Sequence, residues 1–257
     1  MSETRGVALA LALASLATAA DATAQEHEDP IGGRSRKSQS PQNFEAEVRI
    51  APFYPAIDSD PALHGATPFK DIFGTAPRVL ASVELDWQAY RIPHLGTIGP
   101  GIGVGFSTMS DPAQFQQEHD GTYESGETTT LQILPIYAAA VLRVDVFWRE
   151  ARVPIVPYAK AGLALAFWRA SNTLGTSQVN GELGEGESLG THLALGLAIN
   201  LNPLDPYAAT AFDDAMGVNN TYVFAEWTRE DLDGLGLQSD PLRVGGTAWN
   251  FGLAFEF

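Results

Sequence analysis

The chain has 257 residues, with 15 Lys and Arg against 31 Asp and Glu for a formal net charge of -16, 45% hydrophobic residues and no cysteine. Without cysteine there is no disulfide framework, Cys-ligated metal or thiol nucleophile, and the acidic balance opposes non-specific nucleic-acid binding, which needs clustered Lys and Arg. A mean hydropathy of -0.05 and the lack of a long apolar run exclude a polytopic helical membrane protein, yet 18% charged residues is sparse for a water-facing surface, normally about 25–35% charged.

The first segment reads as an address. Val7 to Ala20 is an Ala/Leu-rich stretch preceded by Arg5, and Ala22-Thr23-Ala24 supplies the small-x-small cleavage pattern of a secretory signal peptide over 1–24. Residues 25–43 are polar and Pro/Gly/Ser-bearing, with a basic knot at Arg34, Arg36 and Lys37, and are expected to form a flexible periplasmic linker. A barrel domain over 44–257 follows.

From Phe44 onward apolar and polar residues alternate with period two, which puts successive side chains on opposite faces of a strand. Phe44, Ala46, Val48 and Ile50 alternate with Glu45, Glu47 and Arg49; Val79, Ala81, Val83, Leu85 and Trp87 with Ser82, Glu84, Asp86 and Gln88; Ile102, Val104 and Phe106 with glycines. A fourth run, Thr129 to Trp148, sets Leu134, Ile136, Leu142 and Val144 against Tyr137, Arg143 and Asp145, and a fifth sets Leu163, Leu165 and Phe167 against Tyr158, Lys160 and Gly162. The sixth alternates Leu193 to Ile199 with His192 to Asn200, the seventh carries Val223, Ala225 and Trp227 against Tyr222 and Glu226, and the last sets Trp249, Phe251, Leu253, Phe255 and Phe257 against Asn250, Gly252, Ala254 and Glu256.

Eight such segments predict an all-β fold, an eight-stranded antiparallel transmembrane β-barrel, since a tilted strand crosses a bilayer in about 9–11 residues. Connections two and four are short, whereas 55–77, 110–127, 171–187 and 231–242 are long and polar, the asymmetry of an outer-membrane barrel with both termini periplasmic. The sixth connection differs: Asp205 as N-cap, Pro206 at the first position and Gly217 as the stop predict one short periplasmic helix. A soluble lipocalin-like barrel would need a charged outer face, but the less apolar face here is dominated by Gly, Ala, Ser and Tyr, which suits a crowded interior, and the chain has only Lys37, Lys70 and Lys160 as lysines. Trp87 and Trp148 should line the periplasmic aromatic girdle, and Trp168 and Trp227 the outer one.

The terminal Asn250-x-Gly252-x-x-Phe255-x-Phe257 resembles the C-terminal signal read by the barrel-assembly machinery of outer membranes, the partner it implies during biogenesis. The pieces AEVRIAPFYPAID (46–58), PFKDIFG (68–74), VELDWQAYRIP (83–93) and GVNNTYVFAEW (217–227) resemble an uncharacterised family of outer-membrane β-barrel proteins of myxobacteria and relatives, small barrels of the OmpA/OmpW kind. That resemblance implies the cell outer membrane and supplies no catalytic motif.

The lumen face carries Glu45, Glu47, Arg49, Glu84, Asp86, Arg143, Asp145, Lys160, Glu226 and Glu256, expected as a bonded network, because unpaired charges in so narrow an interior are costly. Arg78, Arg169, Arg229 and Arg243 fall at the outer strand ends, where guanidinium forks match lipopolysaccharide phosphates or pair with loop acids. His192 is on a strand without the His-x-Ser pattern of lipid A deacylases, and a nucleophile such as Ser107 or Ser188 would have to arrive in space. His27, His64, His94 and His119 show no metal-ligand spacing, and Asp58-Ser59-Asp60 lacks the later Gly and Glu of an EF-hand. No catalytic, cofactor or metal residues are expected, and the chain reads as a monomeric structural or surface-interaction barrel with acidic outer loops, a lipid-modifying enzyme or a narrow porin-like channel being the alternatives.

Overall fold

The computed structural model describes residues 43–257 apart from 118–120, 174, 180–181 and 239–240. The expected signal peptide, the linker up to residue 42, and Glu118, His119 and Asp120 lie outside the described residues. Eight long strands follow in chain order: β1 (Phe44–Phe53), β2 (Arg78–Trp87), β3 (Gly96–Gln117), β4 (Gly121–Arg143), β5 (Ile155–Asn172), β6 (Glu185–Asn200), β7 (Asn220–Asp231) and β8 (Gly246–Glu256). Each pairs antiparallel with its chain neighbour, and β8 pairs back onto β1 with Val48 opposite Leu253, so the sheet closes and no strand edge remains along the wall. Phe44 N donates to Phe257 O (2.8 Å) and Phe257 N to Phe44 O (2.9 Å), which puts both barrel ends of the chain at one mouth.

The alternation read from the sequence is the inside–outside alternation of the barrel. On β6, Ser188, His192, Ala194, Ala198 and Asn200 are buried in the lumen, while Leu193, Leu195, Leu197 and Ile199 face out, Leu195 at 59% exposure. The same holds around the wall, where Ile50, Val79, Val83, Ile102, Leu163, Trp249 and Phe251 are exposed. An exterior of exposed aliphatic and aromatic side chains around a polar interior is the surface of a barrel built for hydrocarbon.

Small residues let a narrow lumen fill. Gly103 on β3 lies directly opposite Tyr137 on β4, Gly196 on β6 opposite Tyr158 on β5, and Gly252 on β8 opposite Phe224 on β7. In each pair a Cβ on the glycine would run into the ring of its partner, so the ring lies over the neighbouring backbone and fills the lumen from the wall inward.

The mouth opposite the Phe44–Phe257 end is closed by chain outside the strands. The sequence predicts a polar loop after β1; the structure instead has two short 3-10 turns (Ala56–Ser59 and Pro61–Leu63) and the helix α1 (Pro68–Phe73). Asp58 accepts hydrogen bonds from Phe69 N (2.8 Å) and Lys70 N (2.9 Å), pinning the first turn of α1. That places Ile57, Phe69 and Phe73 in one apolar cluster with Phe53, Met109, Ile133, Leu232 and Val244, a plug over that end of the lumen.

At the mouth where Phe44 meets Phe257 the connection after β4 turns through α2 (Val146–Arg149), so Asp145 and Trp148 are not strand residues. Trp148 packs on the lower cluster of Val156, Tyr158, Ala198, Tyr222, Phe224 and Ala254 instead of standing in a girdle. Trp168 likewise departs from expectation: its position on β5 points inward, where it covers Gly186 and packs against the outer plug. Toward the plugged end the wall carries Trp227 and Trp249, directly opposed on β7 and β8, with Phe106 and Phe167 exposed on β3 and β5. The predicted periplasmic helix is α3 (Pro206–Met216), with Asp205 accepting from Ala208 N at 3.0 Å and Gly217 closing it at φ 72°.

The long connection expected between the third and fourth strands is not a loop. β3 and β4 have 22 and 23 residues and stay paired up to Gln117 and Gly121, broken once by a bulge at Pro112/Gln114. The last β2 partner on β3 is Ser107 and the last β5 partner on β4 is Thr130, so 111–117 and 121–128 run on as a two-stranded ribbon past the last pairing with their neighbours.

Candidate functional site: the lumen charge network

Residues 45, 47 and 49 of β1, 84 and 86 of β2, 143 of β4, 160 of β5 and 226 of β7 all occupy inward positions, and the closed barrel brings their side chains together at its axis. Arg49 is the hub. Its guanidinium donates to Glu47 Oε2 and Glu226 Oε1 (2.6 Å each) and to Glu84 Oε2, so one planar fork serves three carboxylates from three strands. Lys160 Nζ closes the ring from the opposite wall, 3.0 Å from Glu47, 2.8 Å from Glu84 and 3.2 Å from Glu226. The Tyr137 hydroxyl also donates to Glu84.

Toward the Phe44–Phe257 mouth, Arg143 pairs with Glu45, and its guanidinium carbon lies 5.1 Å from the centre of the Tyr222 ring. Below it Glu256 accepts from Gln88 Nε2, Asn220 Nδ2 and Tyr222 Oη, each at 2.8 Å. Toward the plugged mouth, His192 stacks on Tyr137 with ring centroids 3.9 Å apart and its Nδ1 is 3.0 Å from Glu230, while Asn250 Nδ2 donates to Thr228 Oγ1 at 2.9 Å.

Of the expected lumen set, Glu45, Glu47, Arg49, Glu84, Asp86, Arg143, Lys160, Glu226 and Glu256 are in the lumen. Asp145 is not: β4 ends at Arg143, and Asp145 sits at the start of α2, paired with Arg91 at 2.7 Å. The parity that would put it inward stops applying once the strand turns. In the sequence Tyr137, Tyr158 and Tyr222 are only members of the inward face, yet they shape the network as much as the charges do. The signal for Tyr137 and Tyr158 is a glycine on the neighbouring strand, recognisable only once the register is known.

The serines weighed as nucleophiles are engaged elsewhere: Ser107 Oγ donates to Val79 O at 3.0 Å and Ser188 Oγ to Leu242 O at 2.6 Å. The rim arginines divide. Arg78 turns in toward the plug, bonded to Phe73 O at 3.1 Å and to Asp111. Arg169 and Arg229 stand on outward positions, Arg169 3.6 Å from Glu185 and Arg229 2.8 Å from Asp231, and both side chains are more than half exposed. Arg243 precedes β8 and is half-buried. In the terminal motif, Asn250 faces the lumen and Gly252 lies against Phe224, while Phe255 sits on the outer face opposite Ala46 of β1, across the seam that closes the barrel.

No protein-family model and no curated protein matches the sequence. Among solved structures the chain is similar to the attachment invasion locus protein Ail of Yersinia pestis, determined in complex with the heparin analogue sucrose octasulfate, at 11% identity and a TM-score of 0.41 over 84% of this chain and 99% of that one. It is similar to the N-terminal β-barrel domain of Pseudomonas aeruginosa OprF at 12% identity and a TM-score of 0.34, covering 84% and 98%. A major outer membrane protein from Thermus thermophilus aligns at 13% identity with a TM-score of 0.40, covering 83% and 98%.

Proposed function

We propose that the chain is an integral outer-membrane barrel with a structural and surface-interaction role, presenting the β3–β4 ribbon and its acidic loops outside the cell and keeping both barrel ends of the chain on the periplasmic side. The observation that carries this reading is the exterior wall, apolar and exposed at outward positions of all eight strands. In water such a wall would be a contiguous apolar patch far beyond the several hundred Å² that soluble monomers show, so it calls for lipid around it.

A lumen crossed by Arg49 and Lys160 with their three shared glutamates, under an apolar plug, supports a structural over a conducting role. Arg169 and Arg229 are the rim arginines placed to meet lipopolysaccharide phosphates, and β8 with Asn250, Gly252, Phe255 and Phe257 is the strand offered to the barrel-assembly machinery. The resemblance to the myxobacterial outer-membrane family agrees with this compartment.

Two assays on the purified full-length barrel discriminate the classes. In planar bilayers it is expected to show no steady ohmic conductance, and on incubation with lipopolysaccharide it is expected to leave the lipid A mass spectrum unchanged. A steady conductance moves the assignment to a narrow channel, and loss or gain of an acyl chain on lipid A moves it to a lipid-modifying enzyme.

A further inference from the structure

Between the charge hub and the plug the lumen encloses a small space. It is a cavity of about 20 Å³, bounded on the hub side by Arg49 and Tyr137 and on the plug side by Phe53 and Leu80, and His192 borders it as well. One water needs about 10–15 Å³. Two polar atoms of the bordering residues have no protein partner. Arg49 gives Nη1 and Nη2 to its three glutamates, but its Nε meets no acceptor. His192 is 1% exposed, and while its Nδ1 lies beside Glu230, its Nε2 is left over.

Neither atom is free to turn away. Three carboxylates from three strands hold the guanidinium, and the imidazole lies flat on Tyr137, within 4° of parallel at 3.9 Å. Their chemistry is complementary. A carboxylate only accepts, so in the neutral ring Glu230 places the imidazole proton on Nδ1 and leaves Nε2 an acceptor, whereas Arg49 Nε–H can only donate. A group that both accepts and donates satisfies the two at once, and in so small a volume that group is water. An anion would meet the lone pair of Nε2 and the lumen glutamates, and a cation would meet the guanidinium. The polar wall between them, Thr228 and Asn250, is already joined by its own 2.9 Å bond.

We infer that the lumen holds one fixed water molecule between Arg49 and His192, accepting from Nε–H of the first and donating to Nε2 of the second. The water carries the hydrogen-bonded network from the hub to the His192–Glu230 pair. Glu230 stands two residues before Leu232 of the plug, so hub and plug become one connected unit. The site rests on the filled lumen proposed above, whose own failure would show separately as conductance in planar bilayers.

The test uses the full chain with nitrogen-15 in its histidines, in detergent micelles. One histidine should appear in the Nδ1–H tautomer with an unprotonated Nε2, and its ring protons should give a cross-relaxation peak to water with the sign of a long-lived site. His192→Phe should remove that signal and so assign it. Ala248 is on the cavity wall, and Ala248→Val fills the space. It should abolish the water peak and lower the thermal unfolding temperature by several degrees, because Nε–H and Nε2 then lose their shared partner. The wild-type spectrum decides even where the variant does not fold: a ring protonated on Nε2, or one without contact to water, overturns the inference. Ring shifts that follow chloride concentration overturn it in favour of an anion. A water peak that survives Ala248→Val places the water elsewhere, and a raised unfolding temperature means that the cavity was dry; either result overturns the inference too.

Discussion

Arg49 illustrates what a single side chain does in so narrow a lumen. It satisfies Glu47, Glu84 and Glu226 at once, and Lys160 alone cannot replace it, because an ammonium is a point charge already shared among the same three groups. Arg49→Met should therefore destabilise the barrel by about 3–5 kcal/mol, the range for breaking one side of a buried pair, read as a shift in urea unfolding in lipid vesicles. An unchanged midpoint would mean that water reaches the cluster freely. The glycines beside the rings are equally exacting: Gly103→Ala drives a methyl into Tyr137 and should cost about 1–3 kcal/mol in the same assay. Most inward charges are legible in the sequence, since strand parity alone sorts Glu47, Arg49, Glu84, Lys160 and Glu226 to one face. What parity cannot supply is where it ceases to hold, as at Asp145, or which inward residue meets which, as in Tyr137 over Gly103.

At the scale of elements, the parts of the chain divide into wall, closures and projections. Helix α3 is a projection: its cap and stop are readable as Asp205, Pro206 and Gly217, and none of its residues is buried. Replacing 206–216 with a short Gly/Ser turn, while keeping Asn202 and its 2.7 Å bond to Asn219 O, should leave barrel stability within about 0.5 kcal/mol of the parent. A larger loss would show that α3 braces the mouth where Phe44 meets Phe257. The β3–β4 ribbon reads as a loop because 110–127 is polar at nearly every position, and the reason is physical. Past their last pairing with β2 and β5, β3 and β4 form no part of the closed wall and need no apolar face, so the binary pattern disappears although the strand pairing continues. The first outer connection misleads in the opposite direction. Its acids suggest a solvated loop, but Asp58 holds the start of α1 and the apolar residues between the acids turn down into the plug.

For the whole molecule, the net charge of -16 resolves into two populations. The loops 55–77, 110–127, 171–187 and 231–242 carry fourteen acidic residues against Lys70 alone, while the lumen holds most of the remaining strand charges in mutual contact. The wall between them is almost free of charge, which is why charged residues are sparse for a chain of this length. A charge placed on that wall should be expensive: Leu195→Arg is expected to cost about 2–4 kcal/mol in vesicle unfolding if the position lies near the bilayer midplane. The central claim, that outward positions meet lipid and inward ones a filled lumen, has a direct test that the absence of native cysteine makes clean. Single cysteines placed in turn from 191 to 200 on β6, spin-labelled in lipid vesicles, should show oxygen accessibility peaking at Leu193, Leu195, Leu197 and Ile199, with restricted motion and little collision with either oxygen or a water-soluble relaxant at the positions between. A flat profile, or outward positions that collide with the water-soluble relaxant, would contradict the account.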